Sequence, residues 1–195
     1  AASDVYKRQA LLMSQTGGGC RASNYIHLIR KALSTQFPEV PVLSLNFSGL
    51  EKDASIDITP AIAMKLIYAV LYGDMLMLLY NQCKPYEIEK NSTDELLARW
   101  QHRLGKLFAT PSRYMHTKSI YNAMLKDFAA LPRTKEKKPK VGIVGEIYVK
   151  YSPLANNHLN DFLLSEGCEP NVQGLLEFVL YCASDAINDE KLYDK

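Results

Sequence analysis

The chain has 195 residues, 47% of them hydrophobic, which is enough to bury a substantial core in one or two domains. Its formal net charge of +2 is close to neutral, so no broad basic surface is predicted and nucleic acid is a poor candidate partner. The four cysteines, Cys20, Cys83, Cys168 and Cys182, follow no CxxC or CxH spacing, which argues against a local zinc site and a secreted disulfide framework and favours a cytoplasmic protein.

The first nine residues, Ala1 to Gln9, show no apolar periodicity and include no initiator methionine. They resemble translated read-through of a sequencing adaptor, so we expect a non-native leader and leave it out of the fold. The predicted fold begins after it, with a short and continuously apolar strand over residues 10–14.

The most informative run is Gln15-Thr-Gly-Gly-Gly-Cys-Arg-Ala-Ser-Asn-Tyr25, between that strand and a helix predicted over residues 22–35. Gly17, Gly18 and Gly19 permit unusual backbone angles and let a bulky inorganic or phosphate group come close. A thiol at Cys20, beside the unpaired N–H groups and positive dipole end of a helix, is expected to have a lowered pKa. It would then be a better metal ligand or nucleophile. The structural alternative is a glycine turn followed by a cysteine packed as a small hydrophobe.

A dinucleotide-binding interpretation of the same run remains open. Gly17, Gly19 and Ala22 fit a relaxed Rossmann fingerprint. That fold needs an acid at the end of its second strand, but the strand predicted over residues 40–45 is followed by Asn46. No Gly-Lys-Ser/Thr is present, which excludes a nucleotide P-loop. The alternatives are therefore an NAD(P)-binding module and a non-catalytic scaffold domain of a larger fusion protein.

The next part of the chain is predicted to be helical. Strand, crossover helix and strand over residues 10–58 form one parallel βαβ unit. A helical segment follows over residues 59–132, with Thr59-Pro60 as its start signal and helices over residues 61–81, 92–108 and 119–130. The apolar stretch Ile62 to Tyr80 carries Lys65 and Asp74, so it predicts one kinked core helix or a buried helix pair instead of a membrane span.

A charged linker over residues 133–139 leads to the start of a second α/β domain over residues 140–195. Its predicted elements are strands at 140–146 and 169–172 and helices at 157–165 and 175–183, the first helix closed by Gly167. Glu146 lies at the carboxyl end of a strand, where parallel sheets bind ligands, and it is either a ligand contact or a cap for the next loop. The predicted fold class is α/β: two Rossmann-like parallel-sheet units, both incomplete, joined by a helical segment.

Five motifs, in this order, resemble those of one family. They are Gln15-Thr-Gly-Gly-Gly-Cys-Arg-Ala-Ser-Asn-Tyr25, Val42-Leu-Ser-Leu-Asn46, Tyr72-Gly-Asp74, Lys84-Pro-Tyr86, and Val141-Gly-Ile-Val-Gly-Glu146 with Pro153-x-Ala155-Asn156-Asn157. From Ala10 onward the chain is similar to the large acyl-CoA dehydratase activase-related proteins, whose C-terminal part resembles the D-component of 2-hydroxyglutaryl-CoA dehydratase. Such proteins pair ATP-hydrolysing activase domains with an iron–sulfur reductase-like module.

The resemblance implies that Cys20 is a ligand of an iron–sulfur cluster of the 4Fe–4S type, whose other ligands lie outside this chain. The candidate cofactor-binding residues are Gly17, Gly18, Gly19, Arg21, Ser23, Asn24 and Glu146, and no catalytic residue is assigned. Cys83 and Cys168 are expected to be incidental and Cys182 to be a core residue. The four histidines are scattered without ligand spacing.

The resemblance also implies an iron–sulfur component of an ATP-driven reductase or dehydratase that acts on CoA thioesters or similar small substrates. Its partner would be the rest of its own polypeptide, including ATPase activase domains, with no nucleic-acid or membrane partner. The chain looks like an internal fragment of such an enzyme and is expected to be inactive alone. The loop around Cys20 is expected to share a sheet edge and a cleft with Gly145-Glu146.

Overall fold

The computed structural model of the chain describes residues 10–15, 21–46, 59–181, 184 and 188. It is a mixed helix and strand fold that divides into two compact units, Ala1–Thr59 and Pro60–Lys195. The coarse α/β class predicted from the sequence is therefore confirmed.

The first unit contains strand β1 (Leu11–Gln15), helix α1 (Arg21–Gln36) and strand β2 (Val42–Asn46). The two strands pair in parallel, with Leu11 opposite Val42 and Gln15 opposite Asn46. Ile26 on α1 is completely buried, as an amphipathic crossover helix requires. The helix ends at Gln36, directly before Phe37-Pro38, because the residue before a proline avoids the helical region. Strand, helix and parallel strand occur in the predicted order.

The second unit begins with three helices: α2 (Pro60–Cys83), α3 (Ser92–Ala109) and α4 (Thr117–Ala129). Single turns of 3₁₀ helix lie between them at Lys84–Tyr86 and Arg113–Met115. Residues 60–83 form one continuous helix of 24 residues, so the single-helix alternative holds and the helix pair does not.

The hydrophobic core of this unit lies where α2, α3 and α4 meet. Its buried members are Tyr72, Leu76, Leu79, Cys83, Leu96, Trp100, Leu104, Tyr114, Ile120, Met124 and Phe128. Tyr72 packs edge to face against Tyr121 at 5.6 Å, and its hydroxyl donates a 2.5 Å hydrogen bond to the carbonyl of Tyr114. Each large apolar side chain buried in this way stabilises the fold by about 1.5–3 kcal/mol.

The first turns of α2 do not share in this core. Four large apolar side chains there are exposed: Ile62, Met64, Leu66 and Ile67. The prediction that the whole stretch is buried is therefore wrong for its first part, because α3 and α4 pack along the later turns, from Tyr72 onward.

Within the described residues, one segment, Pro60–Tyr86, is long and apolar enough to cross a membrane, by length and composition. Its apolar window has a mean hydropathy of 1.7, and 17% of that window is buried. Core helices of soluble proteins pass the same test. Since the later turns of α2 supply five buried residues, the segment is compatible with a soluble protein.

A second parallel pair of strands completes the described fold. Strand β3 (Lys140–Ile143) pairs with β4 (Glu169–Val172), Lys140 lying opposite Glu169 and Ile143 opposite Val172. Helices α5 (Ile147–Tyr151) and α6 (Leu159–Ser165) connect them, and α7 includes residues 175–181. Because α2 packs against β4, the three-helix block and this sheet belong to one compact unit.

Two boundaries in this region differ from the sequence prediction. The strand predicted over residues 140–146 ends at Ile143, since Val144 is 86% exposed and Gly145 has a φ of +149°, which ends the extended pairing. The predicted loop after it contains the short helix α5. The next helix begins at Leu159, two residues later than predicted, because Asn157 and His158 both have positive φ angles.

Candidate functional site

The glycine–cysteine loop connects β1 to α1. Gly17, Gly18, Gly19 and Cys20 lie outside the described residues. Strand β1 ends at Gln15 and helix α1 begins at Arg21, so Cys20 directly precedes the first helical residue in the chain.

The beginning of α1 favours a negatively charged group. The helix has 16 residues, and its first turn contains no acidic side chain. The partial positive charge of that helix end is therefore not offset by a local carboxylate. Arg21 and Ser23 lie in this turn, with their backbones described and their side chains outside the described part, and Asn24 is exposed.

The two cysteines described by the structure have different surroundings. Cys83, the last residue of α2, is 2% exposed, and its sulfur lies 3.9 Å from the carbonyl oxygen of Phe128 and 3.6 Å from a guanidinium nitrogen of Arg133. Burial raises the pKa of the Cys83 thiol, although the positive charge of Arg133 opposes this. Cys168 is partly buried in the turn before β4. Cys182 lies outside the described residues.

No metal site is complete in the part of the chain that the structure describes. Nowhere among those residues do three or more His, Cys, Asp or Glu side chains come together in a group able to hold a metal ion. Cys83 packs in the hydrophobic core, and an iron–sulfur cluster would not fit there without displacing the side chains of that core. A cluster bound to Cys20 would therefore take its other ligands from outside the described residues.

Glu146 acts as a helix cap. One of its carboxylate oxygens accepts a 3.1 Å hydrogen bond from the backbone N–H of Val149, in the first turn of α5. The sequence predicts Glu146 at the end of the strand, whereas β3 ends three residues earlier, at Ile143. The expected shared edge with residues 17–21 involves positions outside the described residues.

Asp74 of α2 caps the beginning of α7. Its two carboxylate oxygens accept hydrogen bonds from the backbone N–H groups of Leu175, at 2.9 Å, and Leu176, at 2.8 Å. Two unpaired helix donors are thereby satisfied by a side chain 101 residues earlier in the chain. The motif Tyr72-Gly-Asp74 thus has a structural role, with Tyr72 in the core and Asp74 as the cap.

The motif Lys84-Pro-Tyr86 and the following glutamate hold α2 and α3 together. The Lys84 ammonium lies 2.6 Å from Glu87 and 2.5 Å from Asp94. Glu87 also accepts hydrogen bonds from the backbone N–H groups of Asn91 and Thr93 at the start of α3. Burial would raise the pKa of Glu87, but the hydrogen bonds from Lys84 and these N–H groups outweigh it, and the pKa is lowered.

Tyr86 connects this turn to the second sheet. Its hydroxyl donates a 2.7 Å hydrogen bond to one carboxylate oxygen of Glu169, and the Lys140 ammonium lies 2.9 Å from the other. Glu169 is 6% exposed, so both of its oxygens need these partners. The motif therefore stabilises the contact between the helical block and the first residues of β3 and β4.

A cavity of about 530 Å³ lies at the carboxyl end of the second sheet, where Ile143 and Val172 end their strands. Its wall is mostly apolar. The polar side chains on it come from α2, α3, α5, α6 and the turn before α6, and they are Tyr80, Asn81, Gln101, Lys150, Tyr151, Asn156, His158, Asn160 and Asp161.

Sequence reasoning missed most of this cavity. Lys150 lies in a segment that was predicted to be a loop, and Asn160 lies in an ordinary helical pattern. The sequence signal was limited to motif residues that line the cavity, which are Gly73, Ile143, Pro153 and Asn156. In the structure Asn156 caps α6, accepting a 3.2 Å hydrogen bond from the N–H of Leu159, and donates another to the carbonyl of Lys150.

Comparisons of the chain with protein-family models, with curated proteins and with solved structures gave no match in any of the three.

Proposed function

We propose that this chain is part of the iron–sulfur component of an ATP-driven reductase or dehydratase, with Cys20 as one ligand of a cluster of the 4Fe–4S type. The observation that carries the proposal is the position of Cys20. It follows three glycines after a strand paired in parallel, and it directly precedes a 16-residue helix without acidic residues in its first turn.

The proposed role of each part of the loop follows from elementary chemistry. The positive end of α1 lowers the pKa of a neighbouring thiol, and the thiolate is the form that binds iron. Gly17, Gly18 and Gly19 allow the backbone to approach a bulky group, while N–H groups at the helix start can donate hydrogen bonds to cluster sulfides and raise the potential. When bound, the cluster would supply one-electron transfer. Its other ligands would come from outside the described residues.

The remaining features of the proposal concern partners and location. The rest of the polypeptide, including ATPase activase domains, would deliver electrons, and a CoA thioester or similar small molecule would receive them. A cytoplasmic protein without a nucleic-acid or membrane partner is consistent with the near-neutral charge and with the packing of the later turns of α2 in a core.

The NAD(P)-binding alternative has less support. A Rossmann fold places an acidic residue at the end of its second strand to bind the ribose. In this structure β2 ends at Asn46.

The experiment is an anaerobic purification and reconstitution of the intact protein, with iron and acid-labile sulfide quantified per chain. Cys20→Ser should lose most of the iron and the visible absorbance, while Cys168→Ser, the matched control, should keep both. Unchanged iron content in Cys20→Ser would refute the assignment of Cys20. An iron-free wild-type protein that binds NAD(P)H would favour the alternative instead.

A further inference from the structure

Lys150 is a buried charged residue of the second unit. It lies on α5 and is only 7% exposed, although lysine is almost never buried without a partner. Among the described residues, no carboxylate lies within ion-pair distance of its ammonium group. The contact that the structure gives that group is with the face of the Tyr151 ring, whose centroid lies 4.6 Å away.

Lys150 and Tyr151 both line the cavity of about 530 Å³ at the carboxyl ends of β3 and β4. Open α/β sheets bind their ligands at that end of the strands. The buried cation therefore lies where this type of fold presents a ligand site.

The other titratable side chains on the cavity wall already have partners. Asp161 pairs with His158 at 3.3 Å, and both are largely exposed to solvent. The hydroxyl of Tyr80 donates a 3.0 Å hydrogen bond to Asp94. Among the wall residues that the structure describes, Lys150 is therefore the charged side chain without a counter-ion.

Asn160 gives a second, independent sign of a missing ligand. It lines the same cavity, and its buried side-chain oxygen has no hydrogen-bond partner among the described residues. Buried polar atoms without partners are rare in native proteins and call for an explanation such as a bound group.

The rest of the wall determines what kind of ligand fits. Its apolar part comes from α2 and α3 and includes Leu76, Met77, Leu97, Leu104 and Phe108. A ligand with an apolar body and one anionic group would cover this surface and also neutralise the cation. The volume is in the range of ordinary metabolite sites.

We propose that this cavity binds a small monocarboxylate with an apolar body, whose carboxylate pairs with the Lys150 ammonium while Asn160 accepts a hydrogen bond from a donor group on the ligand. Lys150 is a binding residue in this proposal. The site is independent of Cys20, because it lies entirely within the second unit and needs no cluster.

The test is calorimetric titration of the intact protein with three probes: hexanoate, methyl hexanoate and inorganic phosphate. Neither hexanoate nor its methyl ester carries a hydrogen-bond donor for Asn160, so the comparison reports the charge that is offered to Lys150. Hexanoate should bind more tightly than methyl hexanoate by about tenfold, which is about 1.4 kcal/mol, because only the acid pairs with Lys150. Lys150→Met should remove that difference, and Lys118→Met, at an exposed position of α4, should leave it unchanged.

Each outcome supports or refutes the proposal, and titrations of the wild-type protein alone are sufficient to refute it. Absence of hexanoate binding, or equal affinity for hexanoate and methyl hexanoate, overturns it even if Lys150→Met does not fold. Phosphate that competes with hexanoate at equal concentration would show that the site takes any oxyanion, and the carboxylate assignment would then be wrong. Retention of the hexanoate preference in a folded Lys150→Met variant would exclude Lys150 as the counter-ion.

Discussion

The carboxylate of Asp74 lies directly against Gly174, so closely that a Cβ atom at position 174 would be 2.7 Å from one of its oxygens. The same carboxylate accepts the hydrogen bonds from Leu175 and Leu176 that begin α7. The glycine is therefore needed for the close approach of a cap from α2, and the two residues form one contact between helices far apart in the chain.

Gly174→Ala should lower the free energy of unfolding by about 1–3 kcal/mol, because the methyl group displaces the Asp74 carboxylate. Urea unfolding followed by circular dichroism measures this. Gly105→Ala is the matched control, since position 105 lies inside α3 with open space around it, and it should be neutral or stabilising by up to about 1 kcal/mol. Equal effects of the two substitutions would show that the contact with Asp74 is unimportant.

The hydrogen bonds that Glu87 accepts predict that the stability of the protein depends on pH in the acidic range. The pKa of Glu87 is lower in the folded protein than in the unfolded chain. Its contribution to the free energy of unfolding is therefore complete above its unfolded pKa of about 4.3 and is lost as the pH falls through the folded value. Glu87→Gln should cost about 1–3 kcal/mol at neutral pH and much less in acid. Urea unfolding over a pH series checks this.

Glu89→Gln is the control for that series. Glu89 is exposed, two residues from Glu87, and its substitution should leave the curve of stability against pH close to that of the wild type. If Glu87→Gln and Glu89→Gln gave the same curve, the proposed role of Glu87 as an ionised cap would be wrong.

Tyr86→Phe should destabilise the protein by about 1–3 kcal/mol, because it leaves one oxygen of the buried Glu169 without its hydrogen bond. Thermal unfolding at neutral pH measures the effect. Tyr181→Phe removes a hydroxyl from an exposed ring and should change stability by less than about 0.5 kcal/mol. If Tyr86→Phe left the stability unchanged, water would replace the hydroxyl group as a hydrogen-bond donor to Glu169 without a cost in free energy, contrary to this prediction.

Much of the secondary structure could be predicted from local patterns. Strand β4 occurs at the predicted residues, α3 begins at the predicted Ser92, and Gly167, with a φ of +74°, ends α6 as expected. The failures have local and tertiary causes. Gly145 ends β3 early through its backbone angle, and the exposed first turns of α2 could not be distinguished from the buried ones by hydropathy.

In the candidate sites too, features set by local sequence could be predicted and features set by tertiary packing could not. The loop around Cys20 is a continuous motif, so the sequence alone predicts a site there, and the cap formed by Glu146 is one of the two roles that the sequence left open for that residue. The contact between Asp74 and Gly174 joins residues far apart in the chain, and no local pattern predicts it. Lys150 and Asn160 line one cavity whose wall is shared by α5, α6, α2 and α3, and the spacing of residues along the sequence does not reveal which helices surround a cavity.

The most direct measurement for the central claim is the alkylation rate of each cysteine in the intact, anaerobically prepared protein, determined by mass spectrometry. Cys20 should be protected while iron is bound, and it should react rapidly once the iron has been removed by oxidation and chelation, because a thiolate at a helix start is a strong nucleophile. The buried Cys83, whose pKa is raised, should react slowly in both states and serves as the internal reference. A Cys20 that reacts at the same rate before and after iron removal would contradict the account.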